Sequence, residues 1–350
     1  MPNEGEKLAA ALHDPGIAEI MINEDGRVYA EKNGALERLD VSLSEADLSS
    51  FLKSLGPAAA GLGPKRPYAD LSAPDGSRVH LIGPPLTRRG ICVTVRRRPA
   101  RRPGLDEIVA SGTLSSSCAA FLRYAVSERR NILIAGGTSS GKTTLLNALA
   151  SIFPPGERVL VLEDTPELTL PQPHVVYLKT RMRDYGGEPD VALRDLLVNA
   201  LRMRPDRLVV GECRGPESWD MLQAMNVGHD GVMSTLHANS ARETLQRLET
   251  LILMTGIDLP IRAARGQIAL ALDLIVFMAR LGDGSRRVLS VAEITGIETD
   301  VITMAELFSA QPRPKGELLD IEIRPTGTIP RFYDEIRKRG QTPPLGFFKA

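Results

Sequence analysis

The sequence predicts an α/β protein built in two parts, a small α/β unit followed by a mostly parallel sheet covered by helices, with a mainly helical end. Three observations predict it. The first 98 residues read as strands around one helix. A basic, proline-rich stretch, RRRPARRPG at 96–104, then punctuates the chain. From Leu105 onward short apolar runs alternate with amphipathic segments, the pattern of parallel strands joined by helices.

Within 1–98, residues 17–33 (IAEIMINEDGRVYAEKN) alternate apolar and polar around a turn at Asn23-Glu24-Asp25-Gly26, which predicts a hairpin. Residues 43–55 predict a helix, with Ser44 or Ser42 as its cap and Leu43, Leu48, Phe51 and Leu52 on its apolar face. Strands follow at 67–73, 77–83 and 91–96, separated by Pro74-Asp75-Gly76 and Pro84-Pro85. Residues 99–106 read as an interdomain linker, rather than a patch for nucleic acid or acidic lipid.

The second domain, 107–350, is expected to run helix 107–129, strand 131–135, helix 142–151, strands 158–163 and 174–178, helix 190–203, strand 207–211, helix 216–226 and strand 231–236. Residues 240–350 read as mainly helical, with one apolar strand near 273–279 and a short hairpin around Gly282-Asp283-Gly284.

Lys plus Arg equals Asp plus Glu, 43 of each, and this balance argues against a general nucleic-acid binder. Cys92, Cys118 and Cys213 are far apart and form no Cys-x-x-Cys pair, so neither a zinc site nor a disulfide framework is expected and a reducing cytosol is the natural home. No signal peptide is visible. The apolar run IALALDLIVFMA at 268–279 is short and carries Asp273, which is incompatible with a membrane span.

The chemistry concentrates in four places. Gly136-Gly137-Thr138-Ser139-Ser140-Gly141-Lys142-Thr143-Thr144 fits the phosphate-binding signature G-x-x-x-x-G-K-[ST]. Its context agrees: Ile132-Leu133-Ile134 precedes it as a buried strand, and Leu145, Leu146 and Leu149 follow as a helix face. Glycines let successive N–H groups point at a phosphate, Lys142 reaches the β- and γ-oxygens, and the Thr143 hydroxyl ligates Mg²⁺. In PDRLVVGECR (205–214) a buried strand ends at Gly211-Glu212, which places Glu212 to hold Mg²⁺, partly through water. VLVLEDTPEL (159–168) ends in Glu163, Asp164 and Glu167, one of which could orient the attacking water as general base. In GHDGVMSTLHAN (228–239) His229 and His237 flank a short strand. Together they are expected near the active edge, sensing γ-phosphate or positioning water, whereas either taken alone reads as a satisfied buried histidine.

Taken together these motifs resemble the secretion ATPases of the type II/type IV secretion and pilus superfamily, over about Ile17 to Phe308. GGTSSGKTTLLNAL, LEDTPEL, LRMRPDRLVVGECRGPESWDMLQAMNVGHDGVMSTLHANS and ITGIETDVITMAELF are similar to the tight-adherence (Flp-type) pilus assembly branch, as are LSAPDGSRVHLIGPPLT and CVTVRRR. The resemblance implies a hexameric ring at the cytoplasmic face of the inner membrane. Each protomer would have a PAS-like N-terminal domain and a RecA-like ATPase domain, and would work on membrane platform proteins. It implies Glu167 as the catalytic glutamate, Glu212 as the Walker B glutamate, and His229 and His237 as the histidine box. It also implies Arg96, assisted by Arg78, directed at the bound phosphates. The branch's longer N-terminal extension is not visible ahead of residue 17. The tetracysteine zinc module of type II relatives is absent, and Gly215 stands where twitching motors carry Asp. A conjugative or effector-export ATPase of the same superfamily is the alternative. A nucleic-acid translocase using the arginines of 88–102 is disfavoured by the absence of interleaved aromatics, and a non-hydrolysing nucleotide sensor by Glu167 and Glu212.

Overall fold

The computed structural model describes residues 3–348 except 33–34, 74, 98–101, 182–188 and 316–317, together with the backbone alone of 58, 313–315 and 318–320. Pro74 of the expected turn and residues 99–101 of the expected linker lie outside the described residues. The chain divides into two compact units, Met1–Arg101 and Arg102–Ala350.

The first unit runs α1 (Glu4–His13), β1 (Ile17–Ile22), β2 (Arg27–Lys32), β3 (Ala35–Ser42), α2 (Glu45–Ser54), α3 (Pro57–Ala60), β4 (Tyr68–Ser72), β5 (Arg78–Ile82) and β6 (Cys92–Arg96). Its strands form one antiparallel sheet in the order β3-β2-β1-β6-β5-β4. Alternation sends Val28, Ala30, Val79, Leu81, Val93 and Val95 into the core. Ser44 caps α2 in a capping box with Asp47. Three elements are additional to the expected ones, the short helix α3 among them. Helix α1 begins in a capping box between Asn3 and Glu6. Strand β3 is mostly exposed, so its apolar pattern is faint.

The second unit runs α4 (Leu105–Ala110), α5 (Ser116–Ser127), β7 (Ile132–Gly136), α6 (Lys142–Ala150), β8 (Val159–Glu163), β9 (Val175–Lys179), α7 (Leu193–Ala200), β10 (Arg207–Cys213), α8 (Glu217–Asn226) and β11 (Met233–His237). It continues with α9 (Ala241–Leu253), α10 (Ile261–Ala271), β12 (Leu274–Arg280), β13 (Arg286–Glu298), β14 (Val301–Lys315), β15 (Leu318–Pro325), α11 (Phe332–Lys338) and a 3₁₀ turn at Gly346–Phe348. Nine strands form one sheet in the order β15-β14-β13-β12-β7-β11-β10-β8-β9; β12 through β9 are parallel and β13–β15 antiparallel. Every residue of β7 and β8 is buried, as a strand covered on both faces requires.

Two expectations are corrected. Helix 107–129 is broken into α4 and α5, because Gly112 adopts φ +73° and Ser115 caps a new helix. Residues 240–350 are not mainly helical: after α9 and α10 the chain adds four strands. Register shifts at Val291/Ala292 and Ile294/Gly296 interrupt the alternation that would have revealed β13 and β14. The C-terminal segment docks through aromatic rings. Phe121 of α5 lies 5.4 Å from the rings of both Phe308 and Phe348, and Tyr124 meets Tyr333 edge-on at 5.9 Å. Among the described residues no helix is long and apolar enough to cross a membrane.

Candidate active site

The parallel strands share one direction, so their C-terminal ends form a single edge, the position where open α/β sheets bind ligands. Gly136 ends β7 opposite His237 of β11 on one side and Met278 of β12 on the other. Glu163 ends β8, and Glu212 is the penultimate residue of β10.

The phosphate loop spans the turn from β7 to α6. A Cβ at Gly136 would overlap the Met278 carbonyl and lie 2.6 Å from Ser140 Oγ, so only glycine lets β12 close on the loop. Ser139 and Gly141 both take left-handed backbone, φ +57° and +98°, and Gly141 caps α6. Ser140 Oγ donates to Gly137 O at 2.8 Å, bracing the curve. Thr138 and Ser139 are exposed, and nothing lies within 4 Å of where a Gly137 Cβ would stand, so the loop has open space beside its backbone. Lys142 is buried and its Nζ donates to Gly136 O at 3.0 Å and Gly137 O at 2.8 Å. Thr143 and Thr144 occupy the first turn of α6, where the helix dipole favours an anion. An amine, a hydroxyl and a helix N-terminus around an open glycine loop fit a magnesium-bound triphosphate.

Lys142, His237 and Glu212 form a chain. Lys142 Nζ is 3.4 Å from His237 Nδ1, and His237 Nε2 is 2.7 Å from Glu212 Oε1. Arg214 Nε donates to Glu212 Oε2 at 2.7 Å. Burial, then the Lys142 charge, holds the His237 ring below the usual histidine value, against the opposing pull of Glu212.

The acidic loops after β8 and β10 are each pinned by a buried carboxylate. Glu163 Oε1 accepts from Glu167 N at 2.8 Å and Leu168 N at 2.9 Å. Glu217 Oε1 accepts from Arg214 N at 2.6 Å and Gly215 N at 2.7 Å. Glu163 is thus occupied with loop backbone, Asp164 is exposed, and Glu167 keeps a quarter of its side-chain surface accessible. Arg102 donates to Glu167 O at 3.1 Å, and Arg286 of β13 donates to Ser139 O at 3.1 Å. Neither contact was legible from the sequence: Arg102 sits in a run that reads as linker, and Arg286 follows a hairpin 147 residues from its partner.

The two histidines do not share an edge. His229 precedes β11, its N–H bonded to Ala224 O at the end of α8, so a whole strand separates it from His237 and the phosphate loop. The expectation for the pair is corrected on that ground. In the first unit, Arg96 and Arg78 are direct cross-strand partners on β6 and β5, Arg96 exposed and Arg78 within 3.5 Å of Asp70.

The chain is similar to known proteins over most of its length. Residues 4–306 match the family described as "Type II/IV secretion system protein". The conjugal transfer protein TrbB of Rhizobium radiobacter is 36% identical, over 83% of this chain and 88% of its own. The type IV secretion system protein PtlH of Bordetella pertussis is 35% identical, over 77% of this chain and 88% of its own. Among solved structures, the Legionella pneumophila ATPase DotB superposes with a TM-score of 0.58 at 21% identity, covering 81% of this chain and 78% of that one, a likeness of fold. The chain is an ATPase that belongs to the type II/IV secretion system family.

Proposed function

We propose that the chain is the ATP-hydrolysing motor of a conjugal transfer or type IV secretion machine. The observation that carries this reading is the meeting of phosphate loop, Glu212, His237 and the loop bearing Glu167 at one sheet edge, in a chain whose relatives bear conjugal transfer and type IV secretion names. The tight-adherence pilus motor is the second reading, favoured by the likeness of LEDTPEL and the long block 201–240 to that branch.

Thr143 and Glu212, the latter partly through water, are the residues that would hold magnesium, which would supply positive charge against the triphosphate. Lys142 binds the β- and γ-oxygens. Glu167 takes the proton of the attacking water. His237, set between Lys142 and Glu212, reports the loss of γ-phosphate. Arg96 and Arg78 are proposed as further phosphate contacts. Residues 1–98 as a PAS-like domain, 99–106 as a hinge and 107–350 as a RecA-like domain complete the reading. The protomers are proposed to form a homo-hexamer, cytoplasmic and peripheral at the inner membrane, pushing on platform proteins.

The biochemical test is ATPase rate against protein concentration, with size measured in parallel, for the wild type and Glu167→Ala. A rate that rises with a six-fold species and disappears in the variant supports the motor; a concentration-independent monomer rate contradicts the ring. In cells, deletion that abolishes DNA or protein transfer while surface filaments persist supports the secretion reading. Loss of filaments alone supports the pilus reading.

A further inference from the structure

We propose that Arg102 is a positioning residue for Glu167, a role that rests on the reading of Glu167 as general base. Glu167 is clasped on both sides of its backbone. Glu163 Oε1 takes its N–H at 2.8 Å, and Arg102 Nη2 donates to its carbonyl at 3.1 Å. The same guanidinium nitrogen lies 3.6 Å from Glu167 Oε2, so one planar group addresses both the main chain and the carboxylate. Nη2 carries two N–H groups fixed in the guanidinium plane, which suits that double contact, and a freely rotating ammonium serves it less well.

Two features show that Arg102 is built into the site rather than trailing from a linker. Its side chain is only 12% exposed, which strengthens the attraction between the charges. Its backbone leads through Pro103 to Gly104, whose N–H is bonded to Glu107 Oε2 at 2.8 Å at the start of α4, and Leu105 and Ile108 of that helix are buried. The clasp is also tied to the phosphate loop. Two residues after Glu167, the Thr169 N–H donates to Asn147 Oδ1 at 2.8 Å, and Asn147 lies on α6, the helix that opens with Lys142 and Thr143. Arg102, Glu163 and Asn147 together give the loop one position relative to the phosphate ligands. Arg102 is also the first residue of the second unit.

A residue that aims the base is read in turnover. Steady-state hydrolysis by the full chain is measured for wild type, Arg102→Ala, Arg102→Lys, Glu167→Gln and the Arg102→Ala/Glu167→Gln double variant, with melting temperature alongside. Arg102→Ala is expected to lower kcat roughly 10- to 100-fold with KM for ATP held within about 2-fold. Arg102→Lys should recover part of the loss, and Arg102→Ala should add less than about 2-fold in the Glu167→Gln background. If Arg102→Ala does not fold, Arg102→Lys and Arg102→Gln carry the same comparison. Near-wild-type kcat in Arg102→Ala, with Glu167→Gln inactive, overturns the positioning role alone. A loss confined to KM, or one of equal size in the Glu167→Gln background, also overturns it. An active Glu167→Gln removes the base assignment and this proposal with it.

Discussion

The two edges of the nine-stranded sheet use the same residue types to opposite ends. At the N-terminal edge the charges close on one another. Arg207, whose side chain is 1% exposed, donates to Glu157 Oε2 at 2.7 Å and to Val126 O at 3.1 Å, and stacks 4.7 Å over the Phe153 ring. Asn131 accepts from Gly231 and Val232 and donates to Ala271 O, while its own N–H goes to Asp273 Oδ2 at 2.7 Å. At the C-terminal edge the corresponding groups stand where strands and a helix meet the loops. Glu212 and His237 lie near the ends of β10 and β11, Lys142 at the start of α6 and Glu167 on the loop after β8, with His237 44% and Arg214 59% exposed. A network whose members satisfy one another supplies stability. One that ends at an open loop can exchange its partners for a ligand.

That contrast can be broken by substitutions, which should separate activity from stability. The largest effect belongs to Lys142→Ala, expected to cut hydrolysis about 100- to 1000-fold while unfolding free energy falls by no more than about 1–2 kcal/mol for the two carbonyl hydrogen bonds it loses. Equal losses of activity and stability would show that the amine is a structural member of its edge. At the opposite edge Arg207→Ala removes a buried guanidinium and its Phe153 contact and leaves Glu157 to Arg129 alone, and it should cost about 2–4 kcal/mol in urea unfolding, with hydrolysis per folded molecule unchanged. The histidines give a smaller and sharper comparison. His237→Gln should lower kcat about 10-fold, and His229→Gln should change it less than about 2-fold; the reverse order would contradict the placement of the two edges.

The smallest effect is one of pH. Because the His237 value is lowered in the folded chain, the unfolded chain binds more protons between the folded and unfolded values. The associated stability is therefore present above the ordinary histidine value of about 6.5 and is lost as pH falls toward the lower folded value. Melting temperature followed from pH 8 downward (about one histidine titration) should decline less steeply in His237→Gln than in wild type.

Much of the site was legible because its signals are local. A glycine loop between a buried strand and a helix announces itself within a few residues, and Glu212 follows from an apolar run that stops at a carboxylate. The misplacement of His229 was avoidable in principle, since a residue ahead of a parallel strand must sit at the edge opposite one that follows it. The C-terminal strands were hidden for a different reason. Bulges shift the faces of β13 and β14 in mid-strand, and Thr299 and Asp300 turn the chain with φ +44° and +67° without a glycine.

By itself, then, the sequence determined the α/β class, the phosphate loop and the acidic segments, because propensity, periodicity and loop chemistry act between near neighbours in the chain. Only the tertiary structure decided which carboxylate is consumed in holding a loop and which keeps accessible surface. Glu163 and Glu167 differ by four positions, yet one is buried on backbone N–H groups and the other is held beside Arg102 from 65 residues upstream. That distinction arises from long-range burial and hydrogen-bond satisfaction, which exist only once the sheet and its covering helices have formed.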